Sequence, residues 1–531
     1  MKLDGQRRFD GEDVVDVVVV GTGAGGAPLL SELARRGLRV VALEAGPNLE
    51  PGDHSPDETV AAGQINWMRE RLSGGSAPTA FGPNNSGTGV GGSTLHWGAF
   101  TPRPSVHDLR LRTETGLGQD WPIGYDDLVG WIERVEREVG VAGPEHYPWD
   151  PSRRYLLPPP PRNASASAML RGCAEVGITA VDAPAALTTR DRQQPGFGLR
   201  RACVSCGGCH QGCRNGSKVS MDTTYLPAAV AAGAEIRPDS FVHTIDVDSS
   251  GAVSSVVYHQ DGRDHRQRCR ALVLAAGGVE TPRLLLNTGL ANASGQVGRN
   301  FTAHGATQVW GRFEDPVRSY RGYPSSIITE DTARPADADF AGGYLIQSLG
   351  VQPSTYATSL VRGGGLRGAE LVAALQDYPH VAGVGINAEC LPSEANRLEL
   401  ADETDDLGIP LTRVSFSPGA NETALRQHAV QTMTAIVEAA GGRDLRVLER
   451  TAHTVGTARM GTDPASSVVD PDGRSWQVPN LWICDNSIFP SSLIANPALT
   501  IMALSLRTAE AVARSTDPQH RPAGRRTHVE D

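Results

Sequence analysis

Residues 14–20 read VVDVVVV, an apolar run broken only by Asp16 and ended by a glycine turn. A run this short and this apolar predicts a strand buried on both faces, as in a parallel sheet. After the turn comes a helical stretch, and ALEAG at 42–46 then closes a second strand. ALVLAAG at 271–277 and NLWICD at 480–485 have the same character. Buried strands so far apart in sequence predict one sheet assembled from distant pieces, with the chain between them forming a second domain alongside. The four prolines at 158–161 predict extended connection rather than helix or central strand. From about Ser515 the chain is polar and arginine-rich, and a loose tail is expected.

The turn after the first strand, GTGAGG, sets Gly21, Gly23 and Gly26 in a G-x-G-x-x-G pattern between strand and helix. The first glycine permits the tight turn, the second lets backbone approach a pyrophosphate, and the third lets helix and strand pack closely. The helix N-terminus adds partial positive charge. Glu44 ends the next strand about twenty residues on, where an acid hydrogen-bonds a ribose 2′-hydroxyl. Strand, turn, helix, strand and acid fall in order, which predicts dinucleotide binding through Gly21, Gly23, Ala24, Gly25, Glu44 and Ala45. An acid at this place disfavours a 2′-phosphate and leaves FAD or NAD.

Composition narrows the class of protein. The 531 residues are 39% hydrophobic and 21% charged, a soluble globular balance with length for two or three domains. No apolar run is long enough to span a membrane, and the first twenty residues lack a secretory core and cleavage site, so a cytoplasmic location is expected. A net charge of −11 without basic patches argues against nucleic acid. Eight cysteines in this length do not make a disulfide scaffold.

Four further blocks carry chemistry. GVGGSTLHWGAF at 89–100 is a second glycine-rich turn whose small residues would let backbone lie against a flat ring. AGGVETPRLLLNTG at 276–289 follows a strand and predicts a helix capped by Thr281 with Pro282 in its first turn. HTVGTARMG at 453–461 and LIANPALT at 493–500 close the chain. With the first turn, these blocks resemble, in order, the glucose–methanol–choline (GMC) oxidoreductases, FAD-dependent oxidases and dehydrogenases of alcohols. DWPIGYDDL at 120–128 extends the likeness towards bacterial sugar-oxidising members such as pyranose oxidases and gluconate dehydrogenase flavoproteins.

The resemblance implies FAD rather than NAD and an α/β fold. A Rossmann-like FAD-binding domain would come from 12–110, 196–305 and 446–514. An α+β substrate-binding domain with an antiparallel sheet would come from 111–195 and 306–445, leaving 515–531 as the tail. It implies His453 as the base that takes the hydroxyl proton while flavin N5 takes the hydride. Asn496 matches the second active-site position, orienting the substrate oxygen; Asn-Pro also suits a helix cap at Pro497, and both roles stay open. Gly91, Gly92, Ser93, His96 and Trp97 would lie against the flavin, Ala276 and Asp485 near the pyrophosphate and ribitol, and Val242 near the adenine. His96 stands where some members bond FAD covalently; a covalent link and simple packing against the ring are both open.

The expected reaction is oxidation of a hydroxyl of a sugar, glycoside or other polyol to a carbonyl, with oxygen, a quinone or a protein as acceptor. Two alternatives are an oxidase of lipophilic alcohols or sterols and a flavoprotein electron-transfer subunit of a membrane dehydrogenase. The second turns on CVSCGGCHQGC, which places Cys203, Cys206, Cys209 and Cys213 at ferredoxin-like intervals. An iron–sulfur cluster or a zinc knot fits that spacing, but no second cysteine run exists and Arg214 replaces the usual proline. Reduced, structural thiols are the favoured reading.

Overall fold

The computed structural model describes residues 1–77, 86–336 and 338–516; the expected tail from 517 onward lies outside them. Val15–Val20 forms a strand with all six residues buried. It is flanked in parallel by Val40–Leu43 on one side and the end of Arg263–Leu274 on the other, with Val17 facing both Val40 and Ala271. Glu235–Arg237 and Leu481–Ile483 extend the parallel sheet outward, so its strands come from three stretches of chain, 15–43, 235–274 and 481–483, about two hundred residues apart. Nonpolar burial on both faces explains the predominance of valine, leucine and isoleucine in these strands. The helix Gly26–Arg35 packs against the C-terminal helix Ala498–Thr516, binding the two ends of the sequence into one layer.

Arg263–Leu274 serves two sheets. Its second half is the parallel strand just described, while its first half pairs antiparallel with Val253–Gln260, and that in turn with Phe241–Val247. Val242 stands on this meander.

A second sheet of eight strands is antiparallel throughout. Its order is Arg443–Leu448, Gln308–Arg312, Val381–Ala388, Tyr344–Leu349, Ile327–Thr329, Val181–Asp182, with Thr302–Gly305 and Thr451–Val455 continuing from Val381–Ala388. The strand period of two assigns its faces. Val384, Ile386 and Ala388 pack with Met169, Met433 and Ile436 under the helices Ala164–Glu175 and Ala420–Ala439. Gly385 and Asn387 open instead onto a cavity shared with the first sheet. This sheet draws in 302–305 and 446–455 as well as the segments 111–195 and 306–445. The proline run at 158–161 lies outside helices and strands.

One local expectation is corrected. The helix at 276–289 begins at Gly277, not Pro282, and Pro282 lies inside it. Proline has no N–H to give the carbonyl four residues earlier, that of Gly278. Thr457 stands in for the missing donor: its hydroxyl, which also contacts the Gly456 carbonyl, lies 2.9 Å from the Gly278 oxygen. Thr281 is not the cap either: its hydroxyl accepts from the Ala276 N–H at 3.1 Å and donates to Asp485 at 2.6 Å.

Candidate active site

The turn 21–26 and the loop 89–97 press together from opposite sides. A side chain on Gly25 would begin 1.7 Å from the Cys484 carbonyl oxygen, and one on Gly92 would begin 2.8 Å from the Gly23 α-carbon. Only glycine fits at either place, and the result is a slot walled by backbone at the N-terminus of Gly26–Arg35. Glu44 is buried beneath it. Its carboxylate accepts from the Thr22 N–H and hydroxyl at 3.0 and 2.7 Å and from the N–H groups of Gly46 and Gly89 at 3.2 and 3.3 Å. Burial pushes its pKa up against these bonds.

The slot opens into one cavity of about 400 Å³ that runs to the second sheet. Gly21, Gly23, Ala24, Gly25, Glu44, Ala45, Gly92, Ser93, His96, Trp97, Val242, Ala276, His453, Asp485, Asn496 and Pro497 all line it. Gly91 does not; it turns the loop behind the wall, its N–H donating to the Thr22 hydroxyl at 3.1 Å. Asp485 is buried, accepting from the N–H groups of Gly277 and Ser487 at 2.8 Å each and from Thr281. It thereby holds the N-terminus of the helix Gly277–Thr288 against the strand end.

His96 presents a ring nitrogen, Nε2, that is buried and lacks a hydrogen-bond partner among the described residues. Burial, with Lys218 and His210 nearby, pushes its pKa down to about 3, so the ring is neutral. An orphaned neutral imidazole beside a backbone-walled slot fits a dinucleotide cofactor with a flat ring, because such a ring would cover what is otherwise an unsatisfied polar atom.

His453 owes its direction to a β-bulge. Thr451–Val455 pairs antiparallel with Thr302–Gly305, but Ala303 faces Thr454 and His304 faces Ala452, so His453 is the extra residue. Its φ is +54°, the left-handed region that a bulge residue can occupy. The ring is thereby turned towards Asn496, whose Nδ2 lies 3.4 Å from its Nε2. Asn496 Oδ1 accepts in turn from Asn387 Nδ2 at 2.9 Å. The last helix begins at Ala498, and the side-chain contacts of Asn496 run to these two partners. Desolvation first, then the neighbouring His304, Arg450 and His96, holds the His453 pKa well below its ordinary value.

His304, which nothing in the local sequence marks out, sits on the far side of His453. The two Nδ1 atoms are 2.9 Å apart, and His304 Nε2 lies 2.9 and 2.8 Å from the carbonyl oxygens of Ser492 and Leu493. Also unanticipated are Gln308 and Gln347. Both pair in register with Gly385, placing two amides either side of a glycine on the cavity wall.

The four cysteines of the loop 203–213 lie outside the cavity lining. All are free thiols, and among the described residues no group of three or more His, Cys, Asp or Glu is arranged to hold a metal ion. The loop is tied to the slot through Lys218. This lysine is fully buried, and its ammonium donates to the carbonyls of Leu95 and Cys209 at 2.7 Å each and of Trp97 at 3.1 Å. His210 lies 3.0 Å from the His96 carbonyl through Nδ1. Among the described residues no helix is long and apolar enough to cross a membrane.

Sequence profiles described as GMC oxidoreductase match residues 72–306 and 392–505, about two thirds of the chain. The fructose dehydrogenase large subunit of Gluconobacter japonicus is 28% identical over 538 residues, covering 94% of this chain and 97% of that protein. The 2-methyl-1,2-propanediol dehydrogenase of Mycolicibacterium austroafricanum is also 28% identical, over 549 residues, covering 94% and 96%. Among solved structures, pyridoxine 4-oxidase from Mesorbium loti shares the fold with a TM-score of 0.65 at 17% identity, covering 96% of this chain and all of that one.

Proposed function

Because this chain belongs to the GMC oxidoreductase family, we propose that it oxidises a hydroxyl of a sugar, glycoside or other polyol to the carbonyl, with FAD as the cofactor and His453 as the base. The observation that carries the reading is the joining of three things in one cavity: the backbone-walled slot, the His453–Asn496 pair, and a wall of neutral amides. FAD, when bound, supplies the acceptor for the hydride.

The chain's own residues do the rest. Gly25 and Gly92 let the backbone close on Cys484 and Gly23, and the helix N-terminus behind them would take the pyrophosphate. Asp485 holds the helix Gly277–Thr288 in place beneath it. Trp97 is locked by its indole N–H, which donates to the Val219 carbonyl at 2.7 Å, and with His96 it would help hold the flavin ring. His453, kept neutral by burial, takes the hydroxyl proton, and Asn496 steadies the oxygen it leaves. Gln308, Gln347 and Asn387 offer donors and acceptors to further hydroxyls, a wall that suits a polyol better than an alkyl chain.

The test is anaerobic reduction of the flavin by glucose, a glycoside, an amino-sugar and a fatty alcohol in turn, followed by the visible band. Bleaching by a sugar or glycoside is expected, and His453→Ala should keep FAD but slow the reduction by about a hundredfold or more. Bleaching by the fatty alcohol alone overturns the polyol reading, and an unslowed His453→Ala removes it as the base.

A further inference from the structure

We infer that His304 is a positioning residue that fixes the tautomer of His453, so that the base nitrogen facing Asn496 carries a lone pair before substrate arrives. The inference rests on the reading of His453 as the base and deepens it by naming which atom accepts the proton and what makes it available.

The argument starts from two groups whose polarity admits no choice. The carbonyl oxygens of Ser492 and Leu493 can only accept, and both lie within 2.9 Å of His304 Nε2. That nitrogen must therefore carry the proton. His304 is completely buried and, among the described residues, has no carboxylate against either ring nitrogen, so the ring is neutral and its other nitrogen, Nδ1, is an acceptor. Among the described residues, His453 Nδ1 alone stands in front of that acceptor, at 2.9 Å, and it must donate. The hydrogen on a neutral His453 is then on Nδ1, and Nε2 is bare.

The amide beyond agrees. A bare Nε2 needs a donor, and Asn496 supplies Nδ2 at 3.4 Å while its Oδ1 accepts from Asn387. From the two carbonyls to Asn387, every bond in the row takes its direction from the one before. When the substrate hydroxyl yields its proton to Nε2 and its carbon yields a hydride to the flavin, His453 becomes an imidazolium. Its Nδ1 hydrogen still points at His304, which stabilises the charge without a proton having to move on. An aspartate would do this job in a hydrolase triad. Here a neutral imidazole anchored on backbone does it, which avoids burying a carboxylate beside the hydride path.

A ring packed only for shape would not care which of its nitrogens is protonated, and the bulge makes the requirement specific. His453 is the residue left without a partner opposite, and the register break falls between Ala303 and His304. The same irregularity that turns His453 into the cavity sets His304 behind it.

The test uses the FAD-loaded protein labelled with nitrogen-15 in its histidine rings. The His453 signals, identified by their loss in His453→Ala, should show a protonated Nδ1 and an unprotonated Nε2. His304→Phe keeps a ring of similar size but offers no acceptor, and should slow anaerobic flavin reduction about 10- to 100-fold while populating the Nε2–H form. His304→Asn returns an acceptor oxygen near the place of Nδ1 and should recover most of the rate and the original tautomer. A wild-type His453 protonated at Nε2 overturns the inference, as does a Phe variant with unchanged rate and tautomer, or an Asn variant no better than Phe. If instead His453→Ala leaves flavin reduction intact, the base reading fails, while the ring spectrum still decides the tautomer.

Discussion

Removing the Thr457 hydroxyl should weaken the protein more when residue 282 is proline than when it is alanine. The buried Gly278 carbonyl lies four residues before Pro282, which has no N–H to offer, and Thr457 bonds it at 2.9 Å in place of the missing helical donor. Thr457→Val keeps shape and β-branching, so the strain of its φ of +87° is common to both proteins and cancels. What remains is one lost hydrogen bond and a buried acceptor without its donor, about 1–3 kcal/mol. In Pro282→Ala the backbone gains an N–H aimed at the same oxygen, so Thr457→Val should there cost less than half as much. The coupling in the four-protein cycle should be about 1 kcal/mol, read from urea midpoints of the FAD-loaded protein by flavin release and far-ultraviolet dichroism together. Equal cost in both backgrounds would refute the substitution of one donor for the other. The joint also has a functional side. A side chain on Gly278 would begin 2.6 Å from the Thr454 carbonyl, so the helix beneath the cofactor slot and the strand bearing His453 touch there. The Val variant should therefore lower the rate of flavin reduction along with the urea midpoint, and Pro282→Ala should restore both.

His96→Ala separates the two fates of the orphaned nitrogen: if wild type retains FAD through acid precipitation, the variant should release it, and wild-type release ends the covalent proposal. Glu389 is fully buried, with no hydrogen bond to either oxygen among the described residues and Arg334 no closer than 3.6 Å. Burial pushes its pKa from 4.5 up to about 8. The native carboxyl stays protonated over a range where the unfolded chain ionises, so its contribution to stability falls as pH rises from about 4.5 towards 8. Glu389→Gln should gain thermal stability relative to wild type between pH 5 and pH 8; a difference that does not change with pH contradicts the shift.

Much of the frame was legible because it follows rules with short range. Valine runs buried on both faces announce a parallel strand, and three glycines in a fixed pattern announce a turn that other residues would block. The slot residues are legible for the same reason: a glycine forced by a neighbouring carbonyl leaves a mark in the sequence. His304 left none. Its role depends on a strand pairing across some 150 positions and on a one-residue register break, neither of which imposes a local pattern. Gln308, Gln347 and Asn387 are equally silent, since a polar residue on one face of a strand looks the same towards solvent as towards a substrate cavity. The helix at 277–288 misled for another reason. Proline is most at home in a first turn, and only the distant Thr457 hydroxyl makes it tolerable at the sixth position.

The sheet beneath the slot also has a consequence for how the protein comes into being. Its central strand, Val15–Val20, is made some 460 residues before the strand Leu481–Ile483 and the helix Ala498–Thr516 that complete the layer. A growing chain thus holds its phosphate turn unfinished until those segments have been made, and the carbonyls that orient the two histidines arrive only at Ser492 and Leu493. Contacts of this sequence separation are slow to find and leave apolar strand edges waiting. A chain stopped short of residue 480 is therefore expected to depend on chaperones and to trap no cofactor.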